Sequence, residues 1–173
     1  MFVSEYAEKL GKDPWDCYFD LMQENEFGAS GVFCSMSEDD LCDIICSPYC
    51  VVGTDGDTLT WAGKGHPRAS STFPHAIDFY VRQKKVLTLE QMIHKMTGLT
   101  AERLLVPNKG LIRDGYDADL LILDMDHFRD KATYSEPNQQ AEGIDYVIVG
   151  GEIVYHDLAF TGATPGQFIL HRS

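Results

Sequence analysis

The sequence predicts an α/β fold: helices and buried strands over residues 1–106, then a small, mostly β segment over residues 107–173. Three patterns carry this expectation. Two short apolar runs, "GVFCSM" and "CVVGT", flank a stretch of helical character, "SEDDLCDIIC", in the order strand, crossover helix, strand. Strands apolar on both faces belong to parallel sheets buried under helices. From about residue 105 the character changes to short β-prone runs separated by glycine turns.

The elements follow in order. Ser4 is placed to cap a first short helix, and Asp13-Pro14 opens a second. Proline at the first helical position gives up no N–H that the helix would use, and Trp15, Tyr18, Phe19 and Met22 then recur at helical spacing. "GVFCSM" (31–36) is the first expected strand. Ser37 is placed to cap the next helix, with Glu38, Asp39 and Asp40 at the positive end of its dipole. "CVVGT" (50–54) is the second strand, and a long polar loop leads from it to two helices, "TFPHAIDFYVRQK" and "TLEQMIHKMTG". Thr88 with Gln91 three residues on forms a capping box for the latter. In the tail, Gly150-Gly151 within "VIVGGEIVY" supplies the positive φ angles of a two-residue hairpin turn.

The totals exclude several classes of function. A net charge of −13 and a pI near 4.7 leave no basic face for nucleic acid or an anionic membrane. No run approaches the ~18–20 apolar residues of a membrane span. The first residues lack the basic and apolar regions of a secretory signal, so a soluble, cytoplasmic protein is expected. Five cysteines, with no signal, do not suggest a disulfide framework. Cys42, Cys46 and Cys50 are spaced four apart, as a metal site on a helix would have them, but Cys50 follows Pro48, where a helix has ended. Buried apolar packing suits all five better.

The candidate chemistry lies in "VVGTDGDTLTWAGKGHPRASSTFPHA" (51–76). An apolar strand delivers Asp55 to its tip, and the carboxyl ends of strands are where parallel α/β folds collect their functional groups. Asp55 there suits a metal ligand or a general base; an Asx turn in Thr-Asp-Gly would account for it equally well. Pro67 stiffens the pair His66 and Arg68. The planar fork of Arg68 suits a substrate carboxylate, or any neighbouring acid on an acidic surface. His75 opens a helix and is a possible pocket residue; His94, His127, His156 and His171 show no metal-ligand spacing.

Together the motifs point further. "GKDPWDCYFDLM", "SMSEDDLCDIICSPYCVVGTDG", "GHPRASSTFPHAIDFYVRQKKVLTLEQMIHKMTGLTAERL", "KGLIRDGYDADLLILD" and "KATYSEPNQQAEGIDYVIVGGEIVY" run almost end to end. The chain resembles the C-terminal part of the amidohydrolase superfamily, within it the N-acyl-D-amino-acid deacylase (D-aminoacylase) group. The element G-x-I-x-x-G-x-x-A-D-L, Gly110 to Leu120 here, marks the superfamily, and the series Asp-Gly, His-Pro-Arg, Thr-Phe-Pro, Tyr-Val-Arg narrows it to the deacylases.

The resemblance implies a metal-dependent hydrolase that cleaves the amide bond of N-acyl-D-amino acids. It implies that residues 1–106 are the C-terminal part of a TIM barrel, its last two strands and helices, and that 107–173 are part of a small β-sandwich domain. Such barrels hold one or two divalent metals, usually zinc. Asp55 matches the aspartate that ends strand eight as metal ligand and general base, and Arg68, with His66 beside it, matches the group that clamps the substrate carboxylate. Two positions depart from the family pattern: Thr54 stands where serine is usual, and His75 where arginine is usual. No His-x-His occurs, and 173 residues fall short of the ~250 of a barrel. The expectation is therefore a piece of an enzyme that by itself is inert, retains no zinc, and self-associates through unpaired apolar edges. A cyclic-amide hydrolase of dihydroorotase or hydantoinase type, or a non-catalytic module, are the alternatives; the His-Pro-Arg and Thr-Phe-Pro elements favour the deacylase side.

Overall fold

A computed structural model describes residues 1–29, 31–56 and 65–169, which fall into two compact units, Met1–Ser35 and Met36–Ser173. The boundary expected at 106/107 lies inside the second unit, whose core draws side chains from both sides of it.

In the first unit, helices α1 (Val3–Leu10) and α2 (Pro14–Glu24) pack together and bury Ala7 and Cys17. Ser4 does not cap α1. Phe2 is the N-cap, and the Glu5 carboxylate accepts its N–H at 3.0 Å, leaving Ser4 inside the first turn. Gly11 (φ +63°) closes α1 in the left-handed conformation, a state that costs glycine nothing. Asp13 caps α2 as expected, accepting from the N–H of Trp15 at 2.8 Å.

The second unit begins with α3 (Glu38–Cys46), capped by the Ser37 hydroxyl. The two runs expected as strands, 31–36 and 50–54, pair with no strand among the described residues. This corrects the expected parallel sheet. β-propensity alone does not make a strand; a ladder needs a partner for its N–H and C=O groups. The 50–54 segment is instead held from the side. The buried Lys95 ammonium donates to the carbonyl of Cys50 at 3.1 Å and to that of Ser47, tying the end of α3 to the start of the segment.

Beyond the polar loop, α4 (Arg68–His75) begins four residues earlier than the expected helix and runs through Pro74 into a π-helical segment, π1 (Ala76–Gln83). Proline has no N–H for the helical ladder and crowds the preceding turn; the backbone beyond it widens, so that Lys84 N–H reaches Phe79 C=O five residues back. Helix α5 (Leu89–Met96) carries the predicted capping box, with Gln91 N–H on the Thr88 hydroxyl at 3.2 Å and Thr88 N–H on the Gln91 side chain at 2.9 Å. The short α6 (Gly98–Arg103) follows.

The tail forms a four-stranded antiparallel meander, β1 (Leu120–Leu123), β2 (Ile144–Val149), β3 (Glu152–His156) and β4 (Ala159–Phe160), in sequence order. Gly150 (φ +58°) and Gly151 (φ +85°) make the predicted tight turn between β2 and β3. The G-x-I-x-x-G-x-x-A-D-L element is structural here. Asp119 accepts the Gly150 N–H at 2.8 Å and pairs with Lys109, while Ala118 C=O accepts the Gly151 N–H. The Lys109 ammonium, then the Gly150 N–H, hold the Asp119 carboxyl below its usual range. The core gathers Ala76, Ile77 and Met92 around Phe128, with Val52, Leu123 and Ile144 partly buried against it. Gly143 (φ +77°) lets this packing close, since a Cβ there would lie 2.6 Å from the Phe128 backbone.

Candidate active site

Asp55 and Arg68 come together at the end of the 50–54 segment, with Arg68 Nη2 3.1 Å from Asp55 Oδ2. The Thr54 hydroxyl accepts the Gly56 N–H at 3.2 Å, and the Asp55 carboxylate (side chain 89% exposed) reaches Arg68; the Asx turn allowed by Thr-Asp-Gly would involve residue 57, which lies outside the described residues. Asp55 sits at φ +44°, a left-handed conformation in which aspartate is tolerated. Gly56 lies directly beneath α4, where a Cβ would meet Ala69 Cα at 2.8 Å. That close approach carries the first turn of the helix, and Arg68 with it, over the aspartate.

His66 precedes the helix and faces back into it. Its Nδ1 accepts the Arg68 N–H at 3.1 Å, and its ring meets Tyr134 edge-on at 5.3 Å. Burial, then the Arg68 charge, lower the His66 pKa, so the ring is neutral at pH 7. With Nδ1 accepting, the ring proton resides on Nε2, which is a donor. These groups line a cavity of about 480 Å³ whose other walls are largely apolar, from Leu41 and Ile45 of α3 to Val52 and Tyr80. Burial, then Glu38, push the Tyr80 phenol up to about 12, so it faces the cavity neutral.

His75 also lines the cavity. It pairs with Asp130 (Nδ1 to Oδ2 2.8 Å) and stacks on Phe79 at 5.0 Å. The remaining described histidines are elsewhere: His94 is exposed, His127 pairs with Asp124, and His156 with Asp157. His171 and loop residues 57–64 lie outside the described residues. Tyr134, Asp130 and Ser71 have no local signal in the sequence. Ser71 lines the cavity from α4, and Asp130 and Tyr134 reach it because residues 128–134 fold back on α4 and π1.

As a metal centre the set is incomplete. Asp55 offers the hard oxygen that a divalent ion takes, but zinc needs about four ligands. Among the described residues no three His, Cys, Asp or Glu side chains converge to hold an ion.

The family profile described as "Amidohydrolase family" matches residues 50–155, the stretch that carries the Asp55–Arg68 pair, most of the cavity lining and most of the sheet. The chain belongs to the amidohydrolase family. This amidohydrolase chain is 34% identical over 167 residues to a D-aminoacylase of Alcaligenes xylosoxydans xylosoxydans, covering 96% of its own length and 33% of that protein. It is 36% identical over 171 residues to an N-acyl-D-aspartate deacylase of the same organism, covering 95% and 34%. A dihydroorotase of Lactobacillus acidophilus matches over 74 residues at 28% identity, 43% of the chain and 17% of that protein. Among solved structures, the N-acyl-D-glutamate deacylase of Bordetella bronchiseptica superposes with a TM-score of 0.78 at 30% identity, covering 97% of this chain and 34% of that one. That enzyme was crystallised with zinc and a phosphonate inhibitor that mimics the tetrahedral intermediate of its reaction. Within the amidohydrolases the chain falls in the D-aminoacylase group, and it spans about a third of the length of the deacylases it matches.

Among the described residues no helix is long and apolar enough to cross a membrane.

Proposed function

We propose that this chain is the C-terminal part of a metal-dependent hydrolase that cleaves the amide bond of N-acyl-D-amino acids. The observation that carries the proposal is the Asp55–Arg68 pair, held at 3.1 Å, with Arg68 lining a largely apolar cavity. Arg68 binds the substrate's α-carboxylate through its planar fork. The neutral His66 beside it donates from Nε2 to the same ligand. Exposed ion pairs are worth about 0–1 kcal/mol, and both partners are well exposed, so a substrate carboxylate displaces Asp55 from Arg68 at little cost. The released aspartate takes the proton of the attacking water and returns it to the departing amine, which cannot leave as an anion.

Zinc, as in the Bordetella deacylase, is the metal we assign to the complete enzyme, with Asp55 contributing one ligand of a set otherwise held outside these residues. In that enzyme residues 1–106 belong to a TIM barrel and 107–173 to the small β domain. Assay of the complete enzyme against N-acetyl-D-amino acids, their L-enantiomers and dihydroorotate tests the proposal. Hydrolysis of the D-series is expected; turnover of dihydroorotate alone would sink it. The longer and closer match to the deacylases favours them over the cyclic-amide hydrolases.

By itself the chain is proposed to self-associate. Ile112, Leu121 and Phe160 are 93%, 62% and 72% exposed, and β1, at one edge of the sheet, leaves ladder groups unpaired. Light scattering should give a mass that rises with concentration; a monomer at every concentration would refute it.

A further inference from the structure

We propose that Asp130 is a positioning residue of this site, holding α4 against residues 128–134 so that Arg68 and the His66–Tyr134 pair share one wall of the cavity. The inference rests on the function proposed above only where it speaks of catalysis.

The geometry centres on one carboxylate. Asp130, its side chain 12% exposed, accepts from the buried Ser71 hydroxyl, from His75 Nδ1 at 2.8 Å and from the Ala132 N–H at 3.0 Å. Ser71 and His75 are four residues apart and so lie on one face of α4. Arg68, three residues before Ser71, continues that face to the helix start, and all three line the cavity. The backbone of Asp130 is itself held, its N–H donating to the buried Asp78 carboxylate at 3.1 Å. Next to it, Arg82 of π1 donates to the Phe128 carbonyl.

Two consequences follow for the site. Pro67 at the N-cap of α4 offers no side-chain acceptor, and the His66 ring just before it takes the Arg68 N–H. Lateral contacts also hold the helix, with Gly56 beneath Ala69 at one end and the Asp130 cluster at the other. A helix rises about 1.5 Å per residue and moves as a rod over two turns, so a shift at His75 is transmitted to Arg68. In addition, the Asp130–Ala132 bond turns the chain that brings Tyr134, four residues on, against His66. Asp130 thus acts on the carboxylate clamp from both sides without being placed at the reacting atoms.

The test uses two readouts. In the 173-residue chain, NMR follows the Arg68 Nε–Hε resonance and the NOE between the His66 and Tyr134 rings. Asp130→Ala should lose the NOE and move the Arg68 resonance, leaving the β2–β3 amide signals in place. His75→Ala should do the same in part, while His75→Gln, which keeps a side-chain N–H for Asp130, should restore both signals. Lys131→Ala, which removes only the neighbouring ion pair with Glu142, should change neither. If Asp130→Ala does not fold, Ser71→Ala and His75→Ala each remove one bond and decide the matter. In the complete enzyme, Asp130→Ala should raise KM for N-acetyl-D-leucine about tenfold with kcat within about twofold, the pattern of lost uniform binding. Unchanged NMR signals, or a lower kcat at unchanged KM, would overturn the assignment. If the wild-type enzyme hydrolyses no N-acyl-D-amino acid, the proposed function fails, and the NMR comparison alone decides the role of Asp130.

Discussion

Asp55→Asn in the complete enzyme is expected to lower turnover of N-acetyl-D-amino acids by roughly 10²–10⁴-fold, the usual contribution of a positioned acid–base group. The amide keeps the size of the side chain but can neither take the water's proton nor return it to the amine. Folding should be almost unaffected, because the Asp55 side chain is 89% exposed and its ion pair with Arg68 is an exposed one. A stable variant that retains turnover within tenfold of wild type would remove Asp55 from the chemistry. Arg68 sharpens the comparison. Its guanidinium contacts Asp55 in the free chain, so the substitution also frees the clamp, and KM should hold or fall while kcat drops.

The second large effect is on stability. Met92→Ala should cost about 2–5 kcal/mol, the range for deleting a long apolar side chain from a packed interior. Met92 is fully buried and sits in the cluster with Ala76, Ile77 and Phe128. Helices and tail meet at this point, so the cavity left behind cannot collapse without moving π1, α5 or the Phe128 segment. Urea denaturation should show a lower midpoint with little change in slope. Leu121→Ala, on a strand face 62% exposed, is the control and should stay within about 0.5 kcal/mol. Equal losses in the two variants would show that the described cluster is not the core.

Much of the local structure was legible because its causes are local. Asp13, Ser37 and the Thr88–Gln91 pair cap their helices through groups two or three residues away. Gly150-Gly151 makes its turn through its own backbone freedom. Ser4 was misplaced because a reciprocal carboxylate, Glu5, moved the cap two residues earlier to Phe2. The runs at 31–36 and 50–54 failed as strands for a different reason. A β-strand is completed by a partner, and their composition carries no information about whether one is present.

The site divides in the same way. The sequence by itself determined which groups could do chemistry: Asp55 at the tip of an apolar run, and His66 and Arg68 stiffened around a proline. Residue type and near-neighbour spacing carry that much, since an ionisable group and the conformational limits of its neighbours are properties of a few residues. Only the tertiary structure decided that Asp55 faces Arg68, and that His66 is neutral. It also decided that His75 is bound to an aspartate 55 residues further along the chain. Those outcomes depend on burial, on the approach of Gly56 to Ala69, and on the return of residues 128–134 to α4. Contacts so distant in sequence are held together by the core around Met92 and Phe128.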